Sequence, residues 1–123
     1  MNSQSTDDDA FKAMNRYQRT LVDRLFEQPF PGCAELVAQT RNCLVRSIDE
    51  NGSLDFMVTV SDRASVHSPV PVEAEVEDKD GVTIHMLLHV IDGIARGIEV
   101  YKEDGSRVIQ LPQSAELRLF SPR

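Results

Sequence analysis

One histidine in this sequence lies where it could take part in chemistry, because alternating glutamates precede it. Glu73, Glu75 and Glu77 occupy every second position, and His85 lies in the apolar segment that follows them. An imidazole beside carboxylates can serve as a general acid or base, or as a metal ligand. Two carboxylates and one imidazole are nevertheless an incomplete ligand set for a structural zinc ion.

The sequence lacks the motifs of common catalytic sites. It contains no G-x-S-x-G nucleophile motif, no glycine-rich phosphate loop and no H-E-x-x-H metal motif. The acidic turns at 49–55 and 78–81 lack the spaced ligands and terminal glutamate of a calcium-binding EF-hand. We therefore expect a protein that is not an enzyme, with no catalytic residues, no metal and no cofactor.

The two cysteines, Cys33 and Cys43, are ten residues apart. A disulfide between them is conceivable, but a reducing compartment argues against it. Free cysteines are commonly buried as small apolar side chains. We expect two partly buried free thiols.

Asp-Gly turns determine which residues lie opposite His85. The turns end in Asp80-Gly81, Asp92-Gly93 and Asp104-Gly105. At the first of them, a two-residue loop would mix the acidic and apolar faces of the flanking strands. A three-residue loop at 79–81, with glycine in the left-handed conformation, pairs Val76 with Ile84 and Glu75 with His85. We expect the three-residue loop, because it keeps apolar side chains together.

The same reasoning for a three-residue loop at 91–93 places Glu99 opposite His85. The sequence thus predicts a cross-strand row, Glu75–His85–Glu99, on the face away from the apolar layer, with His89 beside it. The candidate partner-binding residues are Glu73, Glu75, Glu77, Asp78, Asp80, His85, Glu99 and Tyr101. This row can be a solvated sheet face, a partner-binding surface or a chemical site, and the sequence leaves all three open.

The composition indicates which partners to expect. The chain has 123 residues and a formal net charge of −7, which opposes binding to nucleic acid and to anionic membranes. The same charge favours a basic macromolecular partner. No apolar run is long enough to span a bilayer, and the polar, acidic start differs from an export signal. We expect a cytoplasmic protein.

The pattern of apolar residues changes from helical to strand spacing along the chain. Residues 1–9 are predicted to be a flexible polar lead whose aspartates, residues 7–9, cap a helix beginning near Phe11 and ending before Pro29. A second helix is expected at 33–40, and a mobile loop at 61–71. Strands are expected at 42–48, 54–60, 72–77, 82–90, 94–101 and 115–120.

These elements predict an α+β fold in which two N-terminal helices pack on one face of a five- to six-stranded antiparallel meander sheet. Residues 10–123 are expected to form a single domain.

The segment 71–112, with its acidic strand, Asp-x-Asp-Gly turn and later Asp-Gly-Ser turn before a proline, resembles a bacterial family of small proteins of uncharacterised function. The earlier Phe-Pro-Gly at 30–32 and the Asp-Glu-Asn-Gly-Ser-Leu turn are similar to the start of that family, so the resemblance covers roughly 30–112. Gly97 departs from the pattern, which has a larger residue there. No catalytic residues are known for this family, so the resemblance implies none in this chain. In size, charge and fold style the chain also resembles immunity proteins of bacterial toxin systems.

We therefore expect a non-enzymatic binding protein, an immunity protein whose acidic surface neutralises a basic cognate toxin such as a nuclease. The alternative is a small-ligand or metal-binding protein that uses the Glu75–His85–Glu99 face. A third hypothesis is a domain that forms a homodimer through an exposed sheet edge.

Overall fold

A computed structural model describes residues 10–59 and 62–122 of the chain and shows an α+β fold with two helices and a seven-stranded antiparallel sheet. The predicted lead at 1–9 lies outside the described residues. The elements in order are β1 (Lys12–Ala13), α1 (Arg16–Leu25), α2 (Cys33–Thr40), β2 (Leu44–Ser47), β3 (Leu54–Met57), β4 (Glu73–Glu77), β5 (Thr83–Ile91), β6 (Ile94–Lys102), a 3-10 turn (Ser114–Glu116) and β7 (Arg118–Phe120). The predicted fold class is confirmed, with more strands than expected.

Helix α1 begins later than the sequence predicted, because its cap is a side chain inside the apolar pattern. The Asn15 side chain accepts the backbone N–H of Gln18, whose own side chain accepts the N–H of Asn15. This reciprocal capping box starts the helix at Arg16. The residues before Asn15 are therefore free to extend, and β1 pairs with β2. The prediction of a helix from Phe11 was wrong, and its predicted aspartate cap lies outside the described residues.

The sheet is less simple than the predicted meander. Its strand order is β1-β2-β3-β6-β5-β4-β7, so β3 pairs with β6 rather than with the next strand in sequence. The chain forms two antiparallel runs, β1–β3 and β4–β6, joined side by side, and the C-terminal β7 returns to pair with β4. The long connection between β3 and β4 makes this arrangement possible, because it carries the chain past two strand positions.

The first Asp-Gly turn has the predicted register. Gly81 has a φ of 83°, and the N–H of Asp78 donates to the carbonyl of Val82 at 2.9 Å. Val76 then lies opposite Ile84, and Glu75 opposite His85. The three-residue loop is confirmed.

The register predicted at the second turn was wrong. Asp92 and Gly93 both have positive φ, 54° and 75°, which gives a two-residue turn that pairs Ile91 with Ile94. One extra residue, Arg96, then forms a bulge, because Val90 pairs with Ala95 and His89 with Gly97. The bulge keeps the apolar residues on the inner face. The bulge also changes the pairing of the rest of β6 with β5, so that Glu99 lies opposite Leu87 and Tyr101 lies opposite His85.

Both helices bury their apolar sides on one face of the sheet. Their contributions to the common core are Leu21, Val22, Leu25 and Leu36. Along β5, buried residues alternate with partly exposed ones, so in the described chain the other face of the sheet is open to solvent. No helix within these residues is long and apolar enough to cross a membrane.

The predicted free thiols are confirmed. Cys33 is partly buried, Cys43 is buried, and both are free. Burial raises the pKa of each thiol.

Candidate functional site

The open side of the sheet carries a concentration of carboxylates, which we call the acidic face. Its members come from β4, β5 and β6 and the residue after β6: Glu73, Glu75, Glu77, His85, His89, Glu99, Tyr101 and Glu103. They share one side because successive residues of a strand point to opposite faces, and the residues of the other parity are buried. The partly exposed Leu87 lies on the same side, opposite both Glu73 and Glu99. The alternation of the sequence thus places five glutamates together on a surface that no described helix covers.

His85 is largely enclosed on the acidic face, with a side chain 15% exposed. Its Nε2 lies 2.9 Å from Oε1 of Glu103, and its Nδ1 lies 3.7 Å from Oε2 of Glu75. The imidazole stacks on the ring of Tyr101, with centroids 5.0 Å apart and planes inclined by 19°. His85 is thus fixed by two carboxylates and one aromatic ring.

The second histidine forms a separate pair. His89 Nε2 lies 2.8 Å from Oε1 of Glu99. The predicted continuous row of Glu75, His85 and Glu99 is therefore divided, because the bulge moves Glu99 toward His89. Glu103 takes the place predicted for Glu99.

One arginine reaches the acidic face from the edge of the sheet. Arg118 on β7 donates two hydrogen bonds to the carboxylate of Glu77, at 3.0 and 2.7 Å, and lies 3.8 Å from Glu75. The hydrogen bond from Arg118 lowers the pKa of Glu77. The sequence analysis missed this pair because it did not assign a partner strand to the C-terminal segment.

Two predicted partner-binding residues lie elsewhere. The Asp78 side chain is fully buried, and its Oδ2 lies 3.1 Å from the buried ammonium of Lys102. Asp80 lies 2.6 Å from the same ammonium, and its side chain is 37% exposed. The hydrogen bond between Lys102 and Asp80 lowers the pKa of Asp80 and raises the pKa of Lys102. Asp78 is therefore not accessible to a partner in this structure.

Lys102, the partner of Asp78 and Asp80, and Glu103, the partner of His85, could have been predicted from the strand alternation. Lys102 has the same parity as buried Val100 and Ile98, so it had to point inward. Glu103 has the parity of Glu99 and Tyr101, so it belongs on the acidic face. The Asp-Gly turn that follows obscured both, because the predicted strand ended at Tyr101.

Tyr101 lies in a negative environment. Burial raises the pKa of its hydroxyl, and the nearby carboxylates raise it further: Glu73, Glu99, Glu103 and Glu75. The residue is 39% exposed. A partly exposed aromatic ring among carboxylates is suited to contact with a cation.

The chemistry available on this face is the binding of positive charge. Among residues 10–59 and 62–122, no group of three or more His, Cys, Asp or Glu side chains is placed to hold a metal ion. Against its five glutamates the face has, within the described part of the chain, one arginine partner, Arg118. At the far end of the same side of the sheet, Leu44 and Met57 pair across β2 and β3 and remain exposed.

A family model described as Domain of unknown function (DUF6984) matches residues 11–112. Neither the curated proteins nor the solved structures give a match to this chain.

Proposed function

We propose a binding function for this chain, which belongs to the family described as Domain of unknown function (DUF6984). Its acidic face captures a basic protein partner. The observation that carries this proposal is the concentration of five glutamates on an open sheet face where, among the residues that the structure describes, one arginine pairs with them. Unlike a scattered surface charge, this arrangement forms a continuous negative surface across three adjacent strands.

The electrostatics of such a face favour rapid and selective capture. The chain has a net charge of −7, and complementary charge accelerates the encounter with a basic partner while disfavouring acidic ones. The exposed pair of Leu44 and Met57 supplies apolar area at the far end of the same side of the sheet. Protein interfaces combine a small apolar centre with a polar surround.

In its specific form, the proposal is that the chain is a bacterial immunity protein that binds and neutralises a basic cognate toxin, such as a nuclease. The size of the chain, its acidic charge and the absence of catalytic motifs in its sequence support this form. The partner would place its own basic residues on the acidic face and lose access to its substrate.

Cells that produce a toxic protein from a neighbouring gene provide the test. Co-production of this chain is expected to restore growth, and a face variant, Glu73→Gln/Glu99→Gln/Glu103→Gln, is expected to protect poorly. A control variant removes three charges from other exposed sites: Asp23→Asn/Glu35→Gln/Glu116→Gln. Equal protection by both variants, or none by the wild type against any neighbouring toxin, would contradict the proposal.

The alternative of a small ligand or a metal on Glu75, His85 and Glu99 has no comparable support. These side chains do not converge on one point, because Glu99 pairs with His89 and His85 with Glu103. A homodimer through a sheet edge has no observation that favours it.

A further inference from the structure

Tyr101 presents an aromatic surface on the acidic face, on β6, which is an outer strand of the three that carry this face. His85, opposite it on β5, stacks on one side of the ring. The exposed part of Tyr101, 39% of the residue, therefore lies on the remaining side of the ring and at its edge. The stacked imidazole restricts the ring on that side, because rotamers that would move the ring into His85 are excluded.

Carboxylates flank this ring along its own strand. Glu99 and Glu103 are two residues before and after Tyr101, on the same side of the sheet. Each uses Oε1 to bind a histidine, and Oε2 of each has no hydrogen-bond partner among the described residues. Their side chains are 52% and 67% exposed, so both remain open to a partner.

This combination matches an arginine side chain better than a lysine side chain. A guanidinium is planar, stacks on aromatic rings and donates paired hydrogen bonds to carboxylates. A lysine ammonium is a compact, strongly hydrated point charge that makes the ionic contact without the stacking geometry. Carboxylates alone would attract either cation, so the aromatic ring is the feature that discriminates between them.

We propose that Tyr101, with Glu99 and Glu103, forms a platform that receives an arginine side chain of the protein partner. This inference rests on the proposed function and names the chemistry of the partner. The basic partner then places an arginine against Tyr101. Its lysine residues can contact the other carboxylates of the acidic face, where only the positive charge matters.

The test compares two short synthetic peptides of equal length and charge, in which serine alternates with arginine or with lysine. Fluorescence anisotropy at physiological ionic strength measures their affinities for the whole chain. The arginine peptide is expected to bind about fivefold more tightly, as one guanidinium–aromatic contact would provide. Tyr101→Leu should reduce its affinity to that of the lysine peptide, whereas Tyr101→Phe, which keeps the ring, should preserve the preference.

The outcomes separate this inference from the proposed function. Equal affinities of the two peptides for the wild type, or a preference for arginine that survives Tyr101→Leu, would overturn the proposed arginine platform. The acidic face would then bind positive charge without preferring arginine. If neither peptide binds the wild type, capture by charge itself fails, and the proposed function fails with it. Circular dichroism of each variant establishes that the fold is retained.

Discussion

Asp78 anchors the segment that follows β6. Its carboxylate accepts the backbone N–H groups of Ile109 at 2.7 Å and Gln110 at 3.1 Å, and it pairs with Lys102. Burial raises the pKa of this carboxyl, but the hydrogen bonds outweigh burial, so the pKa is lowered from 3.8 to about 2. A lowered folded-state pKa means that the stabilisation is present above about pH 4 and is lost as the pH falls toward about 2.

Asp78→Asn is expected to reduce the free energy of unfolding at pH 7 by about 3 kcal/mol, because it removes one charge of a buried ion pair. The difference from the wild type should shrink as the pH is lowered toward 2, since protonation of Asp78 removes the same charge. Urea unfolding at a series of pH values measures both effects. The exposed Asp23→Asn is the control and should change stability little. A difference that grows in acid would contradict this account.

At the scale of single elements, identical Asp-Gly dipeptides form different turns. At Asp80-Gly81 the glycine alone has a positive φ, whereas at Asp92-Gly93 both residues do. Aspartate tolerates the left-handed conformation, so the dipeptide by itself permits either turn. The N–H of Ala64 donates to the carbonyl of Gly93 at 2.8 Å, and this contact from a distant loop accompanies the tighter turn. Sequence alternation therefore predicted that Glu75, His85 and Glu99 share the face away from the core, but not the register after the second turn.

Some contacts of the candidate site could be predicted from the sequence and others could not. The Glu75–His85 pair was predicted, because one local turn and the alternation of two adjacent strands determine it. The pair of Arg118 and Glu77 was not, because it needs the return of β7 to β4 over a long stretch of chain. The contact across the first Asp-Gly turn was accessible from the sequence, whereas the contact across the second turn was not, because of the bulge in β6. Contacts that depend on strand order were not accessible either.

Gly97 has a structural reason for departing from the pattern of the resembling family. A Cβ atom at this position would lie 2.2 Å from the carbonyl oxygen of Leu54 on β3. The β3–β6 ladder spans two residue pairs, Leu54 with Ile98 and Asp55 with Gly97, and the Ser53 hydroxyl extends it by hydrogen bonds to the backbone of Val100. The joint between the two halves of the sheet thus requires a residue without a side chain.

Gly97→Ala is expected to lower the free energy of unfolding by about 3 kcal/mol, the upper range for overpacking, because rigid backbone must move. Gly81→Ala is the matched control. Its Cβ would meet nothing within 4 Å, so only the left-handed φ is penalised, by about 1 kcal/mol. Chemical denaturation of both variants gives the comparison. A Gly97→Ala protein as stable as Gly81→Ala would show that β3 and β6 can separate at little cost.

At the scale of the whole molecule, one side of the sheet forms the core and the other side carries the candidate binding surface. The helices cover the inner side and complete the core. The outer side is left open, and there the sequence places glutamates at alternate positions of adjacent strands. Arg118, His85 and His89 pair with carboxylates and order this surface, and within the described residues its five glutamates outnumber the one arginine. Such a surface is suited to binding a basic protein.

The most direct test of this account is the affinity of the chain for the purified basic protein encoded beside it, measured by calorimetry for the wild type, the face variant and the control variant defined above. Both variants lose three negative charges, so they differ only in where the charge is removed. We predict that the face variant binds about tenfold more weakly, since three exposed ion pairs at roughly 0.5 kcal/mol each are lost. The control variant should bind like the wild type. Equal weakening in the two variants would show that net charge, and not the acidic face, governs binding, and would contradict the central claim.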